Sequence, residues 1–287
     1  MIKPPHVAIV GAGSFATGLA LALSQAGYTV SEVISRNSPG SRRHARLLAR
    51  KIGARGVVPE TATLDARLLW FAVPDREIRS AAAALAHAPG FAQGEVKYAF
   101  HSSGVLLSRE LEALRKTGIA VASVHPFMTF VPGSHPSLEG VPFAVEGDSG
   151  ATRLARRIVR DLKGVSFPIP ASRKAAYHAW ATMTSPLLLS FLVTLEEAAR
   201  VSGFSPQDAR RRSLPIIGQT LANYARLGPD HSFSGPIIRG DVATVAQHLS
   251  VLKRSPQARD VYVALALSAL RHLPAKNRSQ LQRLLQD

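Results

Sequence analysis

The sequence contains no cysteine among its 287 residues. That excludes disulfides, thiolate catalysis and cysteine-ligated zinc or iron–sulfur centres, and it fits a reducing, cytoplasmic setting. No metal is expected. Acidic residues are scarce as well: 19 stand against 35 lysines and arginines, for a formal net charge of +16. Such an excess suits nucleic acid or another anionic partner. Aromatics, however, make up only 6% of the chain. None interleave with the basic clusters at Arg42, Arg43, Arg46 and Arg50, at Arg153, Arg156, Arg157 and Arg160, or at Arg210, Arg211 and Arg212, as a base-stacking platform requires. The arginines read as solvated helix faces whose field favours an anionic cofactor or substrate, and no nucleic-acid partner is expected. The apolar N-terminal stretch is broken by Pro4, Pro5, Gly11, Gly13 and Gly18, unlike a signal peptide. Residues 175–195 lack Asp, Glu, Lys and Arg over roughly one bilayer span. They include His178, several hydroxyl residues and Pro186, and read as a helix buried between domains or subunits, with no membrane partner.

Strands alternate with helices through the first part of the chain. Apolar runs at 7–10, 28–35, 68–73, 96–100, 119–124, 142–145 and 165–169 read as strands. Helical patterns at 14–26, 41–52, 77–87 and 150–163 separate them, Gly27, Gly53 and Gly164 serve as stops, and Ser108 is placed to cap a helix ending at Gly118. The alternation defines an α/β fold, a doubly wound parallel sheet. Beyond residue 170 the strand signal fades into helices at 174–201, 206–225, 241–253 and 257–273. The expected domains are therefore 1–170, dinucleotide-binding, and 171–287, all-helical.

Gly11-Ala12-Gly13-Ser14-Phe15-Ala16 follows the first strand and opens the first helix. That context gives a G-x-G-x-x-G/A pattern its meaning. Gly11 permits the turn, Gly13 lets the backbone approach a pyrophosphate, and Ala16 keeps the helix against the sheet, while the free N–H groups of the helix start face the phosphates. At the end of the second strand an acid would select a ribose 2′-hydroxyl. The sequence there reads Ser35-Arg36-Asn37, and Glu32 lies too early. A hydroxyl and guanidinium groups suit a 2′-phosphate, so NADP(H) is the expected cofactor. Its binding set is Gly11, Gly13, Ser14, Phe15, Ala16, Ser35, Arg36, Asn37, Val73 and Pro74.

Polar clusters fall at the carboxyl ends of later strands: Asp75; His101, Ser102 and Ser103; and His125. Ligands of open α/β sheets bind along that edge. Lys174 and His178 are four residues apart and share a helix face, where either could protonate the atom left negative by hydride transfer. Catalytic candidates are thus Lys174, His178, His101, Ser102 and His125. Ser103, Arg239 and Asp241 are candidates for binding substrate. Ser234-Gly235-Pro236-Ile237-Ile238-Arg239-Gly240-Asp241 is a conformationally demanding turn, and Asp241 is a natural N-cap for the helix that follows.

Together these motifs, with His125-Pro126-x-x-x-Phe130 and Lys174-x-x-x-His178, resemble the Rossmann-like proteins with a C-terminal DUF2520 domain. That family looks related to F420-dependent NADP oxidoreductases, pyrroline-5-carboxylate reductases and ketopantoate reductases. The resemblance implies a Rossmann domain followed by an all-helical domain, and a homodimer formed through the helices. The expectation is an oxidoreductase that uses NADP(H) to act on a C=O or C=N bond of a small, carboxylated substrate. Arg239 would pair with the acidic group, and a deazaflavin as second cofactor stays open. The alternative is an NADP(H) sensor without chemistry.

Overall fold

The computed structural model describes residues 4–286. The chain forms two compact units that divide between Thr182 and Met183, later than the composition shift at 170.

The first unit runs β1 (Val7–Val10), α1 (Ser14–Gln25), β2 (Val30–Ile34), α2 (Pro39–Ile52), β3 (Arg55–Val57), β4 (Leu68–Phe71), α3 (Asp75–Ala86), β5 (Tyr98–His101), α4 (Glu112–Arg115), β6 (Ala120–Pro126), β7 (Pro142–Gly147), α5 (Ser149–Asp161) and β8 (Val165–Pro168), and reaches into α6 (Lys174–Thr184). One eight-stranded sheet has the order β3-β2-β1-β4-β5-β6-β7-β8. Every neighbouring pair is parallel except β6 and β7. The expectation of a parallel sheet is corrected at that one pair. A parallel return needs a long crossover, usually a helix. Residues 127–141 contain none, so β7 comes back against β6.

Alternation along the buried strands feeds two cores. Val7 and Ile9, with Leu68 and Trp70, face α1, α2 and α5 through Leu19, Leu23, Leu48 and Ile158. Ala8 and Val10, with Leu69 and Phe71, face α3 and α4 through Ile78, Leu85 and Leu114. A sheet covered on both faces explains why these strands read as unbroken apolar runs. Two local expectations change. β3 is too short to show a period in the sequence. Ser108 caps no helix: it starts a 3-10 turn, where its N–H and hydroxyl donate to the Glu146 carboxylate at 2.8 and 2.7 Å.

The second unit holds α7 (Pro186–Val201), α8 (Pro206–Ser232), α9 (Pro236–Arg239), α10 (Val242–Leu252), α11 (Pro256–His272) and α12 (Arg278–Gln286). Its core gathers Ile237, Val245, Leu249, Leu270, Leu281 and Leu285. The helix expected over 174–201 is broken. Ser185 leaves helical geometry at φ −123° and ψ −72°, and Pro186, which has no N–H to give, starts α7. By length and composition Ala171–Val201 could cross a membrane. Yet Lys174 and Tyr177 are buried in the first unit's fold. Within the single chain most of 175–195 is exposed: α7 has no buried residue, and Leu189 is 62% exposed, so the fold of one chain does not bury it. α8 extends beyond the expected 225 and bends at Gly228, where φ is +71° ahead of Pro229. The turn before α10 is as demanding as expected, with Gly235 at φ +104° and Gly240 at +71°.

Candidate functional site

Strand order reverses between β1 and β4, which is where an open α/β sheet leaves a crevice. Gly11 sits there at φ +115°, and a Cβ would collide with the Ala72 carbonyl. Only glycine fits. At Gly13 the Cβ position has nothing within 4 Å, so the backbone lies open to a ligand. Ala16 is fully buried against the sheet. A groove of about 630 Å³ runs past these turns, lined by Gly11, Gly13, Ser35, Arg36, Val73 and Pro74 from the expected set. Sequence reasoning missed Ser41, His44 and Glu77 on the same wall. Ser14 and Phe15 instead line an adjoining cleft of about 380 Å³. Asn37 lines neither; its side-chain oxygen faces Arg42 Nη1 at 3.5 Å.

Glu32 shows why the end of β2 carries no acid for a ribose. Its carboxylate is buried, 1% exposed. It accepts from the Thr63 N–H and hydroxyl at 3.1 and 3.0 Å, from the Leu64 N–H at 3.1 Å, and from Arg55 at 2.8 Å. Ser35 and Arg36 are left facing the groove. One Arg36 nitrogen donates to Glu77 at 2.9 Å.

The adjoining cleft is lined by Gly13, Asp75, Ser102, His125, Met128 and Phe130 among others. Phe130 stands edge-on to Phe15, with ring centroids 5.1 Å apart. Ser102 accepts from the Trp70 indole at 2.9 Å, so its own proton remains available to the cleft. Three expected groups turn inward instead. His101 is fully buried. Its Nδ1 accepts from the Ser103 N–H at 3.2 Å, so Nε2 carries the proton and donates to the Leu107 carbonyl at 2.9 Å. Burial pushes its pKa down to about 4. Ser103 donates to Asp75 at 2.7 Å and accepts from the Val105 and Leu106 N–H groups at 3.3 and 2.9 Å. Lys174, 1% exposed, donates to the Ser103 and Leu106 carbonyls and to the Ser123 hydroxyl. An ammonium has three protons, and all three are engaged. On this geometry Lys174 ties the 103–106 loop to α6, with its protons directed into that loop.

His125 does face the cleft. Its Nδ1 lies 2.7 Å from the Tyr177 hydroxyl, and its ring centroid lies 6.1 Å from that of His178. Both rings crowd Gly104, where a Cβ would strike His178 Cδ2 and approach His125 Nε2 to 2.9 Å. Tyr177 was missed in the sequence although it lies three residues after Lys174, within the same helix-face spacing. Arg239 and Asp241 belong to the second unit. Asp241 spends both carboxylate oxygens on the Thr244 N–H and hydroxyl, at 3.1 and 2.7 Å, as the N-cap of α10. Arg239 is exposed.

A glycine turn with a forced positive φ, an open helix start and a crevice at the point of strand reversal define a Rossmann dinucleotide-binding domain. The comparisons with known proteins are consistent with that assignment. The chain matches the Rossmann-like domain over residues 2–126 and the domain of unknown function DUF2520 over 141–269. It is a Rossmann-like protein carrying a DUF2520 domain. Among curated proteins none matches the sequence. Solved structures with the same fold include a Bacteroides fragilis protein assigned as an NADP oxidoreductase, 21% identical, covering 93% of this chain and 98% of that one at a TM-score of 0.75. A reductive aminase from Aspergillus terreus, in complex with NADPH and ethyl-5-oxohexanoate, is 14% identical over 98% and 99% of the two chains, with a TM-score of 0.66. The pyrroline carboxylate reductase of Plasmodium falciparum with NADP bound is 13% identical over 100% and 99%, with a TM-score of 0.61.

Proposed function

We propose that the chain is an NADP(H)-dependent oxidoreductase that moves a hydride to or from a C=O or C=N bond of a small, carboxylated substrate. The observation that carries this is Glu32, whose carboxylate is consumed inside the fold and leaves Ser35 and Arg36 at the groove wall. Arg36 keeps donors beyond the one held by Glu77, and a guanidinium fork suits a 2′-phosphate. The pyrophosphate would lie over Gly13 at the start of α1. Ser102 and His125 would meet the substrate in the adjoining cleft, and His178 stands beside His125. The reductases of the same fold that hold NADPH or NADP support the cofactor.

Calorimetric titration with NADPH and NADH tests the reading. NADPH should bind at least about tenfold tighter, and Arg36→Ala should erase most of that margin, since a bond to a charged group contributes about 1.5–3 kcal/mol. Equal affinities, or tighter NADH, would overturn it. A second reading, an NADP(H) sensor without chemistry, is favoured by the inward saturation of Lys174 and His101. Tight binding without NADPH oxidation across carbonyl and imine substrates would select it. The exposed apolar side chains of α7 and α8, among them Leu187, Leu189, Val193, Leu214, Ile216 and Leu221, support a homodimer through the helices, and the cysteine-free chain suits the cytoplasm.

A further inference from the structure

We infer that Tyr177 locks His125 in the Nε2–H tautomer, so that the cleft meets a fixed, neutral hydrogen-bond donor. The argument is one of satisfaction. The phenol of Tyr177 is buried, 6% exposed, and among the described residues its hydroxyl has one polar partner, His125 Nδ1 at 2.7 Å. A buried O–H left without an acceptor is costly, so the phenol donates and Nδ1 accepts. A neutral imidazole whose Nδ1 accepts carries its proton on Nε2. Among the described residues Nε2 has no hydrogen-bond partner, and His125 lines the cleft.

The surroundings keep both members of the pair in this state. Rings hold Tyr177 on several sides: Phe127, Phe167 and Trp180 have centroids 5.8, 5.9 and 6.2 Å from it. Burial pushes the phenol's pKa up, so it stays a donor. Burial first, then His178, Lys174 and His101, brings the imidazole down to about 4, so it stays neutral at pH 7. A fixed N–H selects an acceptor, a carbonyl or carboxylate oxygen, over a protonated iminium, which has none to offer. On the proposed reduction of a carbonyl, which this chemical role rests on, hydride would add to the carbon, the same N–H would donate a hydrogen bond to the oxygen as negative charge develops there, and the resulting alkoxide would take its proton from solvent water. Tyr177 is then a positioning residue, acting through His125.

The test needs neither cofactor nor turnover, so failure to bind NADPH would leave it intact. Nitrogen-15 NMR of the full chain at pH 7, with His125 assigned from a His125→Asn variant, reads which ring nitrogen is protonated. The expected result is protonated Nε2 and an acceptor-type Nδ1. Tyr177→Phe should raise the minor Nδ1–H population about tenfold, the effect of losing one hydrogen bond. Protonated Nδ1 in the wild type would overturn the proposal, as would a tautomer ratio unmoved by Tyr177→Phe. Should that variant fail to fold, the wild-type spectrum alone decides.

Discussion

Lys174→Met removes a buried ammonium while roughly preserving volume, and it separates a tether from a proton donor. The wild-type lysine holds the Ser103 and Leu106 carbonyls and the Ser123 hydroxyl. Burial lowers its pKa from 10.5 to about 8, so desolvation takes back roughly 3 kcal/mol. Three bonds from a charged donor contribute about 1.5–3 kcal/mol each, which exceeds that cost. After the substitution Ser103 keeps the Ser123 hydroxyl at 3.2 Å, whereas the Leu106 carbonyl loses the lysine. A net loss of about 1.5–6 kcal/mol follows, or a fall in Tm of roughly 3–24 °C for a domain of this size. Thermal unfolding followed by circular dichroism measures it. A Tm within about 2 °C of wild type would refute the tether, and a fall in turnover with that Tm unchanged would return Lys174 to the chemistry.

Two further outcomes are expected. His101 and His125 are held neutral in the fold at pKa values near 4, below the ordinary 6.5; the unfolded chain therefore binds more protons across that window, and stability should fall as pH drops from 6.5 toward 4, by up to roughly 3 kcal/mol for each histidine. Urea midpoints that stay flat between pH 7 and 4.5 would contradict this. Sedimentation velocity at micromolar concentration should show a dimer, and Leu189→Asp on exposed α7 should shift it to monomer; a monomeric wild type would remove the dimer.

The glycine turn was legible because its demand is local: a positive φ at Gly11 and an open Cβ position at Gly13 belong to those residues alone. The reading of Glu32 as too early for the ribose agrees with where its carboxylate goes, but its partners, mostly at Thr63 and Leu64, lie on a loop that carries no pattern. The inward bonding of His101 and Lys174 was not legible for a related reason. What saturates them is largely backbone, the carbonyls of Leu107, Leu106 and Ser103 and the Ser103 N–H. Every residue has such groups, so no side-chain identity marks where they converge. Tyr177 could have been found by spacing. The reversal at β7 could have been suspected from the missing helix in 127–141.

The lysine tether also orders events in time. Ser103 precedes Lys174 by 71 residues. At roughly 5–20 residues per second of synthesis, a nascent chain waits several seconds between making the loop and making the group that closes it. A fragment ending at residue 170 would hold all eight strands and the whole glycine turn, yet lack the ammonium that fixes the 103–106 loop and the phenol against His125. The glycine-turn side of the crevice is thus complete in the growing polypeptide before the His125 side of the adjoining cleft is set.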